Sequence, residues 1–245
     1  MKIIPLSEGS FTVDRTKVFV PFDKATDELQ QRAIGSLLVE IQPFAVVTGK
    51  DVLLLDTGLG FHTKDGRMQL HQNLLNNGID PGSITKILLS HLHKDHAGGI
   101  QDIKNNIPEL SFPNATYYVN RKELDFAREN KNSSYIPEDF TLLNSTAKLV
   151  LLDDEGMIDD HIRYEMSGAH CPYHTVFWIT EDDQTIFYGG DVAPQLQQMK
   201  NRFIAKYDFD GRKCMELRTQ WWEQGKADHW TFLFYHDIKS PTISL

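Results

Sequence analysis

The segment SHLHKDHAGG, residues 90–99, constrains this chain more than any other part of the sequence. It places His91, His93, Asp95 and His96 within six positions and follows them with two glycines. Imidazoles and carboxylates are poor core material, because each needs a polar partner once it is buried. The segment directly follows ITKILLS, whose branched residues predict a buried strand. Any fold of this chain must therefore end a buried strand at a cluster of polar groups.

The spacing of these polar groups predicts metal sites. Residues two apart in an extended segment point to the same side, so His91 and His93 can reach one common point. Asp95 and His96 are adjacent and are expected to serve a second point nearby, since the glycines that follow let the backbone turn. Imidazoles with a carboxylate suit two hard or borderline divalent ions. We prefer this interpretation to a histidine-rich solvated loop.

The remaining sequence alternates segments typical of strands and helices. The predicted strands are FTVD, GSLLVEI, FAVVT, VLLLD, ITKILLS, ATYYV, AKLVLL, HIRYEM, TVFWIT, TIFYG and TFLFYH. The predicted helices are RMQLHQNLLNNG, RKELDFAREN and GRKCMELRTQWWEQG. Asn120 and Glu123 resemble a capping box before the second helix, and residues 131–147 are expected to form a loop or short helical insertion. This mixture predicts helices packed over sheets, in an α/β or α+β arrangement.

Composition narrows the class of protein. The 245 residues contain no repeat or linker, which favours one domain over residues 1–245. A net charge of −9 opposes binding to nucleic acid. We find no signal-peptide-like start and no apolar run of membrane length, so a soluble cytoplasmic protein without a membrane partner is expected. Cys171 and Cys214 stand far apart in different contexts, which favours packing roles over a disulfide or a CxxC site.

HLHKDHAGG resembles the signature of the metallo-β-lactamase superfamily. Four further landmarks of that family follow the same order along the chain. They are LLLDTG at Leu53–Gly58, GAHCPYH at Gly168–His174, FYGGD at Phe187–Asp191 and FYHD at Phe234–Asp237. The resemblance implies an αββα sandwich, in which two mixed β-sheets lie face to face and helices flank them.

The resemblance also implies a set of metal ligands. His91, His93 and His170 would hold one metal, Asp95, His96 and His236 would hold the other, and Asp191 would bridge them. Two divalent ions per chain are thus expected, zinc first, with iron or manganese as alternatives. A metal-bridging hydroxide would attack the substrate, while Asp95 holds or shuttles a proton and Asp191 fixes the ion pair.

Other residues of the landmarks are assigned supporting roles. His174 is expected to hydrogen-bond a ligand rather than to bind metal. Cys171 adjoins a ligand, but neighbours in an extended segment point apart, so thiolate coordination is disfavoured. Asp56 either supports the ligand loops or is an ordinary turn residue. His62, His71, His161 and His229 are taken as ordinary histidines, although His62 could line the pocket.

The substrate is less constrained. The connection VAPQLQQMKNRFIAKYDFDG resembles the branch of lactonases and organophosphate hydrolases, but Val192, Ala193 and Pro194 replace the stretch that carries a catalytic tyrosine in lactonases. Tyr173 or Tyr207 could substitute for it. The sequence therefore predicts a hydrolase of a small ester, with lactones or carboxylic esters first and thioesters or phosphoesters as alternatives. A mononuclear iron sulfur dioxygenase and a non-catalytic metal-binding module are the rival classes.

The segment from Val192 to Asp210 is predicted to pass near the metals. It combines apolar and cationic residues, and Phe203 and Tyr207 are the candidate pocket residues. An ordinary surface helix is the alternative interpretation. The loop Gly60–Arg67 and the insertion 131–147 are the other candidates for substrate selection. Natural substrate and oligomeric state stay open at this level.

Overall fold

A computed structural model describes residues 1–245, and its secondary structure is mixed. The strands are β1 (Lys2–Pro5), β2 (Gly9–Val13), β3 (Phe19–Pro21), β4 (Leu37–Ile41), β5 (Phe44–Val47), β6 (Val52–Leu55), β7 (Lys86–Leu88), β8 (Gln101–Lys104), β9 (Ile107–Leu110), β10 (Thr116–Asn120), β11 (Leu149–Leu152), β12 (Glu155–Ile158), β13 (Ile162–Met166), β14 (Thr175–Glu181), β15 (Gln184–Tyr188), β16 (Thr231–Leu233) and β17 (Thr242–Ser244). The α-helices are α1 (Gln69–Asn76), α2 (Lys94–Ala97), α3 (Arg121–Glu129), α4 (Leu196–Lys200) and α5 (Gly211–Ala227). Short 3-10 helices cover Leu29–Gln31, Pro81–Ser83, Pro137–Asn144 and Gly190–Val192.

Two six-stranded sheets form the centre of the molecule. The first has the order β1-β5-β6-β7-β10-β11, and the second has the order β12-β13-β14-β15-β16-β17. Both are mixed, because β6, β7, β10 and β11 run parallel beside antiparallel β1 and β5, and only β15 and β16 are parallel in the second sheet. Each predicted strand is found, which confirms the mixed α/β class.

The strand sequences explain why the sheets face each other. Side chains alternate between the two faces of a strand. Leu53 and Leu55 of β6 enter the core between the sheets, where they meet Phe177 and Ile179 of β14. Leu54 points to the opposite face and packs beneath the helices of the first sheet. Strands that are apolar on both faces are thus buried on both sides, as layered α/β folds require.

Helices cover both outer faces. Leu70 of α1 and Leu124 of α3 join the core outside the first sheet. Cys214 and Trp221 of α5 pack with Trp178 outside the second sheet, which confirms the packing role predicted for Cys214. The four layers are therefore helix, sheet, sheet, helix, as the family resemblance implies. None of the helices is long and apolar enough to cross a membrane.

Several elements were not predicted. A three-stranded sheet of order β3-β2-β4 and a hairpin of β8 and β9 lie outside the two main sheets. The turn of that hairpin uses Asn105 and Asn106 at φ values of 52° and 64°, a left-handed pair that asparagine tolerates. After TFLFYH, the unpredicted strand β17 adds to the edge of the second sheet.

The predicted capping box is half correct. The side chain of Asn120 accepts a hydrogen bond from the backbone N–H of Lys122 at 2.9 Å and so caps α3. Glu123 does not reach back to Asn120. Its carboxylate turns into the interior and accepts a hydrogen bond from the backbone N–H of Leu92 at 2.9 Å. The burial of Glu123 thus serves the histidine loop rather than the helix end.

One edge of the sandwich collects the landmark segments. The carboxyl ends of β6 and β7 lead into residues 56–58 and 89–99, and those of β15 and β16 lead into residues 189–192 and 234–237. Since the ends of parallel strands meet at the same sheet edge, segments distant in sequence become neighbours there. This edge holds the candidate site.

Candidate metal centre

The structure brings together all seven residues predicted as metal ligands. They form two groups, one of His91, His93, His170 and Asp191 and one of Asp95, His96 and His236. Within each group the atoms that could bind an ion all lie within 4.8 Å of one another. Six of the seven are buried, and His93 is half-buried.

The first group has the dimensions of a tetrahedral site. His93 Nδ1 lies 2.9 Å from His91 Nε2 and 3.3 Å from His170 Nε2. His170 Nε2 lies 3.2 Å from Asp191 Oδ2. Donor atoms bound to zinc at ordinary lengths and tetrahedral angles are separated by about 3.3 Å. Three imidazoles and one carboxylate oxygen therefore fit one borderline ion.

The second group shares Asp191 with the first. Asp191 Oδ1 lies 2.9 Å from His236 Nε2 and 3.1 Å from His96 Nε2. Asp95 Oδ2 lies 3.6 Å from His236 Nε2. The two oxygens of Asp191 thus face different groups, which is the arrangement of a bridging carboxylate.

The charge of the centre also calls for a cation. Asp191 Oδ1 and His96 Nε2 are buried without a hydrogen-bond partner. Asp95 and Asp191 form ion pairs only with histidines, so no lysine or arginine balances them. Buried carboxylates require pairing or a bound metal. The residues present therefore fit divalent cations.

Burial sets the protonation of the imidazoles. Burial, together with neighbouring imidazoles, holds the pKa of His91 and His93 well below the ordinary value. At neutral pH both rings are neutral, which is the form that binds metal. Burial also lowers the pKa of His96, but the carboxylates of Asp191, Asp95 and Asp56 outweigh it and raise that pKa well above the ordinary value. Without a metal, His96 supplies positive charge to the carboxylates.

The second ring nitrogen of four histidines is held by the protein. These contacts are His91 Nδ1 to Ser90 Oγ at 3.0 Å, His96 Nδ1 to Asp56 Oδ2 at 2.7 Å, His170 Nδ1 to Asp208 Oδ1 at 2.8 Å and His236 Nδ1 to the Glu40 carbonyl at 2.8 Å. Such contacts fix the orientation and tautomer of a metal-binding imidazole.

Asp56 is more than a turn residue. Its side chain is fully buried and accepts hydrogen bonds from the Ser90 backbone N–H at 2.7 Å and the Tyr188 hydroxyl at 2.5 Å, besides that from His96. Its backbone has φ of 56°, a left-handed conformation that aspartate adopts more readily than most residues. The geometry therefore favours the supporting role over the alternative.

His174 lies outside both groups. Its Nε2 accepts a hydrogen bond from the backbone N–H of Asp191 at 3.1 Å, and its Nδ1 lies 3.2 Å from Ser167 Oγ. The imidazole therefore holds the backbone of Asp191 and belongs to neither group of candidate ligands. This is the kind of contact expected for it from the sequence.

Three supporting residues were missed by the sequence analysis. Asp208 orients His170, Glu123 supports the histidine loop, and the ring of Tyr235 stacks on His96 with centroids 4.0 Å apart. The Tyr235 hydroxyl also donates to the backbone carbonyl of Asp95 at 2.5 Å. The position of Tyr235, beside a predicted ligand, was the available signal. Asp208 and Glu123 have no such signal in the local sequence.

Glu123 also explains the position of Cys171. The Cys171 thiol is buried, lies 3.6 Å from Glu123 Oε2 and belongs to neither group. Burial and the neighbouring carboxylate raise its pKa well above the ordinary value, so it stays a thiol. The tyrosine of the 131–147 insertion, Tyr135, donates to the other oxygen of Glu123 at 3.0 Å.

A cleft of about 350 Å³ opens over both groups. Five of the predicted ligands reach its wall, and Phe203 and Tyr207 line it as predicted. Its opposite wall was not predicted. That wall comes from the three-stranded sheet and consists of Val13, Lys17, Phe19, Leu37, Leu38 and Val39.

Other pocket candidates lie elsewhere. His62 pairs with Asp102 at 2.9 Å, and no residue of the loop Gly60–Arg67 lines the cleft. From the insertion 131–147 only Ser134 reaches it. Tyr173 packs against Phe126, with ring centroids 5.7 Å apart, and is also absent from the lining. Apart from Ser134, these regions therefore do not line the cleft, and their role in substrate selection stays a prediction.

The sequence has partial relatives among characterised proteins. It is 29% identical to the N-acyl homoserine lactonase AttM of Azorhizobium caulinodans over 109 residues, which cover 42% of this chain and 38% of that protein. The three curated relatives compared align over only 20% to 38% of their own lengths. The shared part is thus well under half of each relative.

Solved structures cover nearly the whole chain. A probable metal-dependent hydrolase from Staphylococcus aureus superposes with a TM-score of 0.81 at 21% identity, covering 99% of this chain and 91% of the other. The dizinc quorum-quenching lactonase AidC, bound to its product, superposes with a TM-score of 0.74 at 21% identity, covering 98% and 88%. At these identities the agreement shows a common fold.

The family itself is identified by the sequence. Residues 40–236, which carry every predicted metal ligand, match the Lactamase_B family. Most of the chain lies inside this match, and the layered fold agrees with it. The chain therefore belongs to the metallo-beta-lactamase superfamily.

Proposed function

We propose that this protein is a dinuclear metal-dependent hydrolase of small carboxylic esters, with lactones as the leading substrates. The observation that carries the proposal is the carboxylate of Asp191, which presents one oxygen to each group of ligands. A single mononuclear site would leave Asp95, His96 and His236 without a role in metal binding. The presence of all seven candidate ligands also argues against a mononuclear iron dioxygenase and a non-catalytic module.

The ligands would divide between two ions. His91, His93 and His170 would hold one, Asp95, His96 and His236 the other, and Asp191 both. Mixed imidazole and carboxylate donors favour zinc, with iron or manganese as alternatives. When bound, two such ions lower the pKa of water and polarise the oxygen of an ester.

The carboxylate of Asp95 is suited to proton transfer. Asp95 lines the cleft and is held from behind by the hydroxyl of Tyr235, which fixes its backbone. A carboxylate in this position can take the proton of the nucleophile and return it to the leaving oxygen.

Tyr207 is suited to the role of the missing lactonase tyrosine. It lines the cleft, and its ring centroid lies 6.2 Å from that of His170. Burial raises the pKa of its hydroxyl to about 12, so the group stays protonated at neutral pH. A protonated phenol can donate a hydrogen bond to the carbonyl or ring oxygen of an ester. Two lactonases among the comparisons support this choice of substrate class.

The test combines metal analysis with an activity panel. Protein reloaded with zinc, manganese or iron should contain two ions per chain and hydrolyse lactones or simple carboxylic esters faster than thioesters, phosphotriesters and phosphodiesters. A stoichiometry that never exceeds one ion would overturn the dinuclear centre. Faster turnover of thioesters or phosphoesters would keep the centre and replace the substrate class.

A further inference from the structure

The charged side chains of the cleft, other than the candidate ligands, are all cationic. Apart from the candidate ligands, its only ionised residues are Lys17 and Lys94, and the remaining polar lining is mainly amide, from residues 195–201. Both lysines are half-buried. In a chain with a net charge of −9, two cations and no free carboxylate at one cleft form a local reversal of charge.

Neither lysine is neutralised by the protein. Lys24, Lys50 and Lys122 form ion pairs with carboxylates, whereas Lys17 and Lys94 form none. The charge of Lys94 lowers the pKa of Asp139, but the two side chains form no ion pair. Burial outweighs this effect and raises the pKa of Asp139 to about 6. Half-buried lysines without carboxylate partners are positioned to bind an anion that the chain does not supply.

The fold holds both ammonium groups at the metal centre. Lys94 directly follows His93, and its Nζ lies 5.7 Å from the ring centroid of Phe19, within the range of a cation–π contact. Lys17 occupies the tight turn between β2 and β3 with φ of 59°, where its backbone N–H donates to the Asp14 carbonyl at 3.0 Å. Lys17 and His93 line the same cleft, so this lysine shares the space over the ligands.

The rest of the cleft is suited to a hydrocarbon chain. Phe19, Leu37 and Val39 line one wall and Phe203 lines the other. An apolar acyl group can fill this space, while the lysines hold a charged end. A neutral amphiphile would leave the two cations unpaired when it displaces water from the cleft.

We propose that the substrate is an ester with an apolar acyl chain and a separate anionic group, a carboxylate or a phosphate, which Lys17 and Lys94 bind. This substrate class rests on the proposed ester hydrolysis and narrows it. The anion is not the group that is cleaved. It selects and orients the ester, so the lysines determine specificity.

A binding experiment separates this inference from the proposed catalysis. Hexananilide, adipic acid monoanilide and 5-phosphonopentananilide share an acyl length and differ in a methyl, carboxylate or phosphonate end, and their amide resists hydrolysis. Calorimetry on zinc-loaded protein should show an anionic ligand binding about 10-fold more tightly than the neutral one, as charged hydrogen bonds allow. The tighter of the two anions identifies the group. Equal binding of all three would overturn the proposal.

Variants assign the preference to the two lysines. Lys17→Gln/Lys94→Gln should remove most of the preference, Lys17→Arg/Lys94→Arg should retain it, and Lys148→Gln, at an exposed position outside the cleft, should not change it. The preference should also weaken in about 0.5 M salt. A preference that survives the double glutamine variant would place the anion elsewhere and contradict the assignment.

The matching esters give the catalytic readout. Mono-4-nitrophenyl adipate should exceed 4-nitrophenyl hexanoate in kcat/KM by about 10-fold in the wild type and by much less in the double glutamine variant. If neither ester is hydrolysed while the anilides still discriminate, ester hydrolysis is wrong and the anion site stands. If both are hydrolysed equally, hydrolysis stands and the anion site is wrong.

Discussion

Two clusters of histidine and aspartate lie at opposite ends of the sandwich, and they differ in what balances their charge. At the metal centre, Asp95 and Asp191 meet only imidazoles. The other cluster, Asp51, Asp159 and His161, has a similar spread of ligand atoms. There Lys86 sits between the carboxylates, bonded to Asp51 and 3.1 Å from Asp159 Oδ2.

This difference in charge balance distinguishes a structural cluster from a metal site. Both clusters lie at the ends of sheet strands, and each contains a buried carboxylate. A buried carboxylate needs a positive partner, and the chain supplies a lysine at Asp51 but only imidazoles at Asp191. The absence of a lysine or arginine, rather than the count of ligands, indicates which cluster binds metal.

The largest effect is expected for Asp191→Ala. The variant loses the carboxylate shared by both groups, so turnover should fall by more than about 100-fold, beyond the range for residues that only orient a ligand. Thermal unfolding should change far less than activity. Steady-state kinetics with elemental analysis would check both. Near wild-type turnover with two bound ions would show that Asp191 is not the bridge.

Lys86→Met should act on stability instead. The variant removes the cation between the two carboxylates and leaves the buried Asp51 with only His161 and Thr85 as partners. The loss of one partner of a buried pair costs about 3 kcal/mol of unfolding free energy. Lys50→Met is the matched control, because Lys50 pairs with Asp160 where both side chains are largely exposed, and such pairs contribute less than about 1 kcal/mol. Urea unfolding measures both, and the number of bound ions should stay the same. Equal effects of the two variants would contradict the comparison.

The stability difference at Lys86 should depend on pH. Burial raises the pKa of Asp51, but hydrogen bonds from Lys86 and Thr85 outweigh it and lower the pKa below the ordinary value. Its contribution is therefore present above the unfolded value of about 3.9 and is lost as the pH falls through the folded pKa. Wild type and Lys86→Met should converge in stability below that pH. A constant difference into strong acid would assign the effect to packing.

His174→Ala should give an intermediate loss of activity. The imidazole holds the backbone N–H of Asp191 and belongs to neither group of candidate ligands, so the expected loss is about 10- to 100-fold with metal still bound. His170→Ala is the comparison, because it removes a predicted ligand. If the two variants were equally inactive and equally depleted of metal, His174 would itself be a ligand.

The smallest effect is expected in the cleft. Phe203→Ala/Tyr207→Ala should change the ranking of acyl-chain lengths by a few-fold and leave metal content intact, since burying one methylene contributes about 0.8 kcal/mol, or roughly 4-fold. Phe209→Ala is the control, being 69% exposed and outside the lining. Unchanged ranking in the double variant would move selection to the wall formed by the three-stranded sheet.

Local sequence was sufficient where one short segment carries the chemistry. The period of two in ITKILLSHLH aligns His91 with His93, and the strands that are apolar on both faces predict buried sheets between layers. The family resemblance then assigned His170, Asp191 and His236 as the remaining ligands. These features and the resemblance predicted the class of fold and the seven candidate ligands that gather at the metal centre.

The surroundings of the candidate ligands depend on tertiary packing, which the local sequence does not predict. Asp208 meets His170 across 38 positions of sequence, and the Glu40 carbonyl meets His236 across 196. Glu123 has the spacing of a helix cap, yet the packing of α3 under the histidine loop buries it instead. Lys17 reaches the cleft only because β2, β3 and β4 fold over it. A residue type and its spacing determine which atoms can bind an ion, but the sheets bring distant segments together, so only the folded chain determines what holds, balances and faces those atoms.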